Sequence, residues 1–201
     1  IRDRVKAPVV GLPLFRYMSG LPRTAKSGTV WNYNTNETNL IGELLSRAID
    51  EDLSAYLENK IWQPYGMESE ANWMLTYENG LEYGGCCLSA TLRDYARLGL
   101  FVLDELKKAP DDDSVLPPGW MRESLSPAPA FNGYGYFWWL LRDGIYAAEG
   151  IFGQVIWIDS NKDLVIALQS SWRQAWSESL EAEWMAFMRA LSKELLGENR
   201  F

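Results

Sequence analysis

YGYFWWLLRDGIYAAEGIFGQVIWIDSNKDLVIALQ, running from Tyr134 to Gln169, decides the fold. It holds four short runs rich in aromatic and β-branched residues, Tyr136–Leu141, Ile145–Glu149, Val155–Ile158 and Leu164–Gln169, which are strand formers. The links between them are Asp143-Gly144, the Gly150–Gly153 loop and Ser160-Asn161-Lys162-Asp163. Links this short permit only antiparallel pairing, because a parallel crossover needs about a dozen residues or more. The stretch therefore predicts an antiparallel meander. Downstream, Ser177 to Leu196 places Leu180, Trp184, Phe187, Met188, Leu191 and Leu195 on one helical face. Such a helix suits the covering of one side of the sheet.

Upstream the texture is helical. Leu40, Ile41, Leu44, Leu45, Ala48 and Ile49 recur at helical spacing and predict a helix from about Thr38 to Ile49. A second helix is expected near 52–62, with Leu53, Tyr56, Leu57 and Ile61, stopped by Pro64 and Gly66. A third begins at Thr91, where Thr91-Leu92-Arg93-Asp94 reads as a capping box, and Leu92, Tyr95, Ala96, Gly99 and Val102 form its face. Residues 1–30, broken by Pro8, Gly11, Pro13, Gly20, Pro22 and Gly28, read as loop. The acidic, proline-rich Pro110–Pro118 connection reads as a solvated loop, with a short helix near 118–125. The fold class is α/β of the α+β type, a partial helical region followed by an antiparallel sheet with a covering C-terminal helix. A single domain is expected over 1–201, its 1–130 part helical and loop, its 131–201 part sheet and helix.

Composition narrows the function. The 201 residues, 47% hydrophobic, can bury one α/β core. The net charge of −8, without a Lys/Arg cluster, argues against nucleic acid or an anionic membrane as partner. No apolar stretch approaches the ~20 residues that span a bilayer. Histidine is absent, so neither a Ser-His-Asp triad nor an HExxH metal site can be built within the chain, and no cofactor is expected. Cys86 and Cys87 are adjacent and are expected to stay unbridged, which suits a reducing compartment and leaves the periplasm open. Ile1-Arg2-Asp3-Arg4-Val5-Lys6 has neither a Met nor an apolar signal region and reads as a chain entered midway.

Four segments between about residue 20 and residue 172 carry a resemblance. The first is Ser27-Gly28-Thr29-Val30-Trp31-Asn32-Tyr33-Asn34-Thr35, leading into a helix; the second is Ile61-Trp62-Gln63-Pro64-Tyr65-Gly66-Met67. The third is the run from Gly84-Gly85 through Ser89 to Asp94-Tyr95-Ala96-Arg97-Leu98-Gly99, and the fourth is Ala147-Ala148-Glu149-Gly150-Ile151-Phe152-Gly153-Gln154. Together they resemble the serine β-lactamase-like family of class C β-lactamases, esterases, penicillin-binding proteins and 6-aminohexanoate-dimer hydrolases. The resemblance implies that Tyr33 is the proton-transferring tyrosine of a Tyr-x-Asn motif, with Thr35 in the asparagine's place. A phenol, of ordinary pKa ~10, acts as a base only where neighbouring cations favour its ionised form. It also implies that the Ile151 backbone N–H is one half of an oxyanion hole, a role independent of side-chain identity. Thr35, Glu149 and Gly150 then border the substrate. Ala148-Glu149-Gly150 stands where the family carries Lys-Thr-Gly; the missing lysine argues against a dedicated β-lactamase and for an esterase or amide hydrolase.

The family's nucleophile lies in Ser-x-x-Lys, with the lysine one helical turn along and able to accept the serine's proton. None of the serines here has Lys three residues later. The expectation is therefore an N-terminally truncated serine hydrolase that acts on small amides or esters through an acyl-enzyme, its nucleophile in a missing N-terminal segment. That missing segment would be the fragment's partner, and the exposed apolar surface left behind would favour self-association. The competing reading is a non-catalytic module binding a ligand or partner through Trp31, Tyr33, Trp138, Trp139, Trp157 and Trp172. A third is a scaffold fragment pairing with a separate chain that supplies the serine.

Overall fold

A computed structural model describes residues 13–78, 80–109 and 112–195. The expected loop over 1–12, the Pro110-Asp111 start of the acidic run and Leu196 lie outside the described residues. The chain divides into two compact units, one formed by 1–60 with 71–89 and the other by 61–70 with 90–201.

In the first unit, α1 (Pro13–Ser19) replaces the loop expected there. Proline at the first helical position costs nothing, since its missing N–H would be unpaired anyway, and Arg16 in the last turn suits the helix dipole. Helix α2 (Thr35–Ile49) starts three residues earlier than its apolar period suggested, because Asn34 caps it by accepting from the Asn36 N–H. Its buried residues are Asn39, Gly42, Glu43 and Ser46, whereas Ile41, Leu44 and Leu45 are 49%, 54% and 42% exposed. Gly42 and Gly84 explain this: a Cβ on Gly42 would stand 2.8 Å from the Gly84 Cα. The backbones meet on the polar side of the helix. Helix α3 (Leu53–Leu57) runs directly into a π-helical turn, Glu58–Trp62. Strands β1 (Asn72–Trp73) and β2 (Leu88–Ser89) form a small antiparallel ladder that the sequence did not announce. Glu82, between them, accepts from the Ser54 N–H and from its hydroxyl at 2.6 Å.

Cys86 and Cys87, expected to remain unbridged, are joined by a disulfide with Cα atoms 3.7 Å apart. Successive side chains of an extended chain point to opposite faces. Cys87 leaves that pattern, with φ at 75°.

The second unit is the meander. Helix α4 (Leu92–Lys107) starts at the expected cap: Thr91 accepts from the Asp94 N–H, and the Thr91 hydroxyl donates to Asp94. Asp94 also accepts from the Glu68 and Ser69 N–H groups, at 2.7 and 3.2 Å, so the segment after Trp62 is held at the head of α4. After α5 (Trp120–Ser124) come β3 (Trp139–Leu141), β4 (Ile145–Gly150), β5 (Gln154–Asp159) and β6 (Leu164–Leu168), all antiparallel neighbours in that order. Strand β3 is shorter than expected. Tyr136 donates its N–H to Ser124 O, Phe137 has φ 65°, and a Cβ on Gly135 would lie 2.1 Å from that same oxygen, so the chain turns before it extends.

Strand β5 is the centre. Ile156 and Ile158 pack with Phe101, Val102 and Leu103 of α4, while Val155 and Trp157 pack with Trp184 and Met188 of α6 (Glu178–Leu195). The face of α6 is rotated from the one expected: Met185 joins the packing and Ser192 is buried, while Phe187 and Leu195 are exposed. Ser192 donates to the Asp159 carboxylate at 2.8 Å and accepts from Lys162 at 3.2 Å. Helix α4 reaches the sheet through Gly99, where a Cβ would meet Val165 Cγ1 at 2.5 Å and Ile156 Cγ2 at 2.8 Å.

Mid-helix Gly→Ala normally gains about 1 kcal/mol in helix propensity. At Gly99 the sign should reverse. The clash with two β-branched side chains, which have little room to give, should leave Gly99→Ala less stable by about 1–2 kcal/mol in urea unfolding.

Candidate active site

The predicted site residues fall in both units. Tyr33, Asn34 and Thr35 belong to the first; Glu149, Gly150 and Ile151 belong to the second.

Tyr33 is 56% exposed, immediately ahead of the α2 cap, with its ring 6.2 Å from that of Trp31. The cap gives the segment its direction, because Asn34 takes an extended conformation while its side chain closes on the helix start. Thr35 opens the helix, and its position is set by the Gly84-Gly85 strand of chain. A Cβ on Gly85 would lie 2.8 Å from Thr35 Cγ2, and the Gly85 N–H donates to the buried Asn39 side chain at 2.7 Å. The two glycines permit close backbone approach against this helix start. Asn39, which the sequence reading passed over, is the polar link between the two segments. Its signal was an amide among the apolar residues of a predicted helix.

In the second unit, β4 ends at Gly150, paired with Gln154, and Ile151, Phe152 and Gly153 make the turn. Ile151 is 66% exposed at its crest. The turn is held by the chain that follows β6: Phe152 donates to Ala175 O at 2.9 Å, and Trp172 donates to Phe152 O at 3.1 Å. Gly153 has φ 89° and presses on the Trp172 indole, where a Cβ would stand 2.3 Å from a ring carbon. Gln154 donates to Ser170 O at 3.3 Å.

Glu149 lies two residues from Ala147 on β4 and so shares the side of the sheet that packs on Trp157 and Trp184. Its carboxyl is pushed up to about 7, by burial first and then by the charge of Glu181 on α6. Of the aromatic residues that could have lined a binding cleft, Trp157 is fully buried, and Trp138, Trp139 and Trp172 are packed against the two cores. All four take part in core packing. Among the described residues, no group of three or more Asp, Glu or Cys is placed to hold a metal ion, and no helix is long and apolar enough to cross a membrane.

Comparison with known proteins bears on the family and the fold. Residues 3–187 match the family model described as Beta-lactamase, and the chain belongs to that family. No curated protein sequence matches it significantly. Among solved structures, it is similar to a protein described as a 6-aminohexanoate-dimer hydrolase from Bacillus anthracis, with 24% identity and a TM-score of 0.77 over 90% of this chain and 48% of that one. A β-lactamase from Mycobacterium bovis gives 16% identity and a TM-score of 0.66, over 85% of this chain and 66% of the other. Simvastatin synthase from Aspergillus terreus gives 16% and 0.64, over 94% and 65%. The chain thus spans about half of the first of these proteins and about two thirds of the other two. At these identities the likeness shows the fold, an α/β arrangement of helices and antiparallel sheet.

Glu149 supplies a pH test. Its folded-state pKa, about 7, lies above the ordinary value of 4.5, so between these values the folded state holds the extra proton. Stability should fall as pH rises through that window and stay low above it. Glu149→Gln should remove the slope and exceed the parent at pH 8 by on the order of 1–2 kcal/mol, after allowance for solvent screening. Denaturant midpoints at pH 5 and 8 would check this.

Proposed function

We propose that this chain is part of a serine hydrolase that cleaves small amides or esters through an acyl-enzyme. The nucleophile in this reading is a Ser-x-x-Lys serine carried by sequence outside the 201 residues; no serine here has lysine three residues later. Tyr33 transfers the proton between nucleophile and leaving group, and the Ile151 N–H is one oxyanion donor. Both assignments rest on position within a β-lactamase-family chain. Tyr33 is an exposed phenol set ahead of a capped helix, and Ile151 crests a turn whose Phe152 backbone is tied to Ala175 and Trp172, with the Gln154 side chain donating to Ser170 O.

The observation that carries the reading is the Gly150–Gln154 turn. Its fixation by the segment after β6 serves no packing need of Ile151, which is exposed, but suits a main-chain donor that must be aimed beforehand. Thr35 and Gly150 border the substrate, one through a small hydroxyl and the other through backbone. Glu149 brings acidity to the strand where the family's lysine brings positive charge. A substrate without a carboxylate, a neutral ester or amide, fits that change. The partner of the Tyr33 segment is the rest of the same polypeptide, and the open Ile41, Leu44 and Leu45 face of α2 is a surface through which isolated copies of this chain would associate.

An aryl ester or fluorophosphonate, applied to the full-length protein and read by intact mass, should leave one covalent adduct on a serine. No adduct at any serine would sink the reading. Tyr33→Phe should lower kcat for the ester by ~10²–10⁴ with KM little changed, the range expected for loss of a positioned proton-transfer group.

A further inference from the structure

Cys86 and Cys87 are the two cysteines of the chain; both are exposed, and they are bonded to each other. The hydrolytic reading uses neither. Their loop nevertheless rests on the helix start behind Tyr33. Gly85 donates to Asn39 at 2.7 Å, and a Cβ there would come within 2.9 Å of Thr35 O; one on Gly84 would come within 2.8 Å of Thr38 O. Beyond the glycines, the Cys86 carbonyl accepts from Trp73 Nε1 at 3.0 Å and the Cys87 carbonyl from the Met74 N–H at 3.1 Å. The disulfide therefore belongs to a stretch of backbone pinned on one side by the β1 strand and on the other by α2.

Cys87 has φ at 75°, a conformation that a residue with a Cβ leaves unless something holds it there. The ring closed by the disulfide contains the Cys86–Cys87 peptide and is that restraint. Without it, Cys87 can return to negative φ, turning the two carbonyls away from Trp73 and Met74 and shifting Gly85 against Thr35. Exposure leaves the sulfurs open to an attacking thiolate, and exposed disulfides are the exchangeable ones.

We propose that Cys86–Cys87 is a thiol–disulfide exchange site that takes a dithiol as its reaction partner and whose state sets the placement of the Tyr33–Thr35 segment. A thiolate of the dithiol attacks one Sγ, the Sγ–Sγ bond breaks, and the other Sγ leaves as a thiolate and takes a proton. The reagent's second thiol then attacks the mixed disulfide and releases the first cysteine. The protein gains two electrons and two protons, and the dithiol is oxidised to its disulfide. The consequence for turnover rests on the role proposed for Tyr33. The exchange and the shift of the segment do not.

The test uses the full-length protein purified in air, with dithiothreitol as the dithiol, N-ethylmaleimide labelling read by peptide mass, and amide hydrogen exchange. Without dithiothreitol, neither Cys86 nor Cys87 should take label; after it, both should. Reduction should speed exchange at the Asn36 and Asn39 amides and at Gly85 severalfold, as local opening does. A C86S/C87S variant should show the fast exchange with or without the reagent. The chemical reduction arm decides the matter even where that variant fails to fold. Label entering both cysteines before reduction, or exchange at 36–39 and 85 unmoved by it, would overturn the proposal. Exchange that rises in a protein without esterase activity in either state would uphold the exchange site and count against the hydrolase reading instead.

Discussion

Every residue of β5 from Val155 to Asp159 is buried, and alternation commits each to one side of the sheet. A strand buried on both faces is stable only if each face is covered, and the two covers are secured by different means. Helix α4 comes close because Gly99 offers no side chain to keep Val165 and Ile156 away. Helix α6 brings bulk, with Trp184 edge-on to Trp157 at a centroid distance of 6.1 Å. With its body so fixed, the β4–β5 hairpin can carry a tight, exposed turn at one end without help from apolar contacts at Ile151. That turn is carried by the buried strand behind it and held by the segment after β6.

The first unit has a different economy. Its helix α2 meets its neighbours through glycines and polar groups: Gly42 on Gly84, Asn39 on Gly85, and Ser46 donating to Glu51 O. Backbone proximity, rather than side-chain volume, sets the place of the Tyr33–Thr35 segment. A segment located by hydrogen bonds is placed to within the tolerance such bonds allow. The arrangement also leaves Ile41, Leu44 and Leu45 of α2 exposed.

The sheet was legible because its signals were local. Strand-forming runs and turns of two to four residues fix both pairing and order without reference to anything distant, and the Thr91 cap was legible for the same reason. What was not legible depended on contacts between segments far apart in the chain. The period of Leu40 to Ile49 gave the helix, but its buried side was decided by Gly84, which no window around α2 contains. The early end of the first strand run was decided by Ser124 O, and the disulfide by a left-handed backbone that adjacency alone does not reveal. At the candidate site, Tyr33 and Ile151 were found by resemblance. Asn39 was found only in the folded chain, and Trp172, named from the sequence as a possible binding aromatic, holds the Phe152 turn there instead.

The hydroxyl of Ser192 meeting the buried Asp159 has a consequence for how α6 can sit. Apolar side chains alone would allow a helix to slide or roll along a greasy sheet, since Met185 and Met188 are pliant enough to exchange places at little cost. A carboxylate sealed from water tolerates no such freedom. An axial setting of the helix other than the observed one would take the hydroxyl away from both Asp159 and Lys162 and leave the buried carboxylate and the lysine short of a hydrogen bond. The cover is therefore keyed: the polar contacts of one serine reject the neighbouring registers that the hydrophobic contacts would accept.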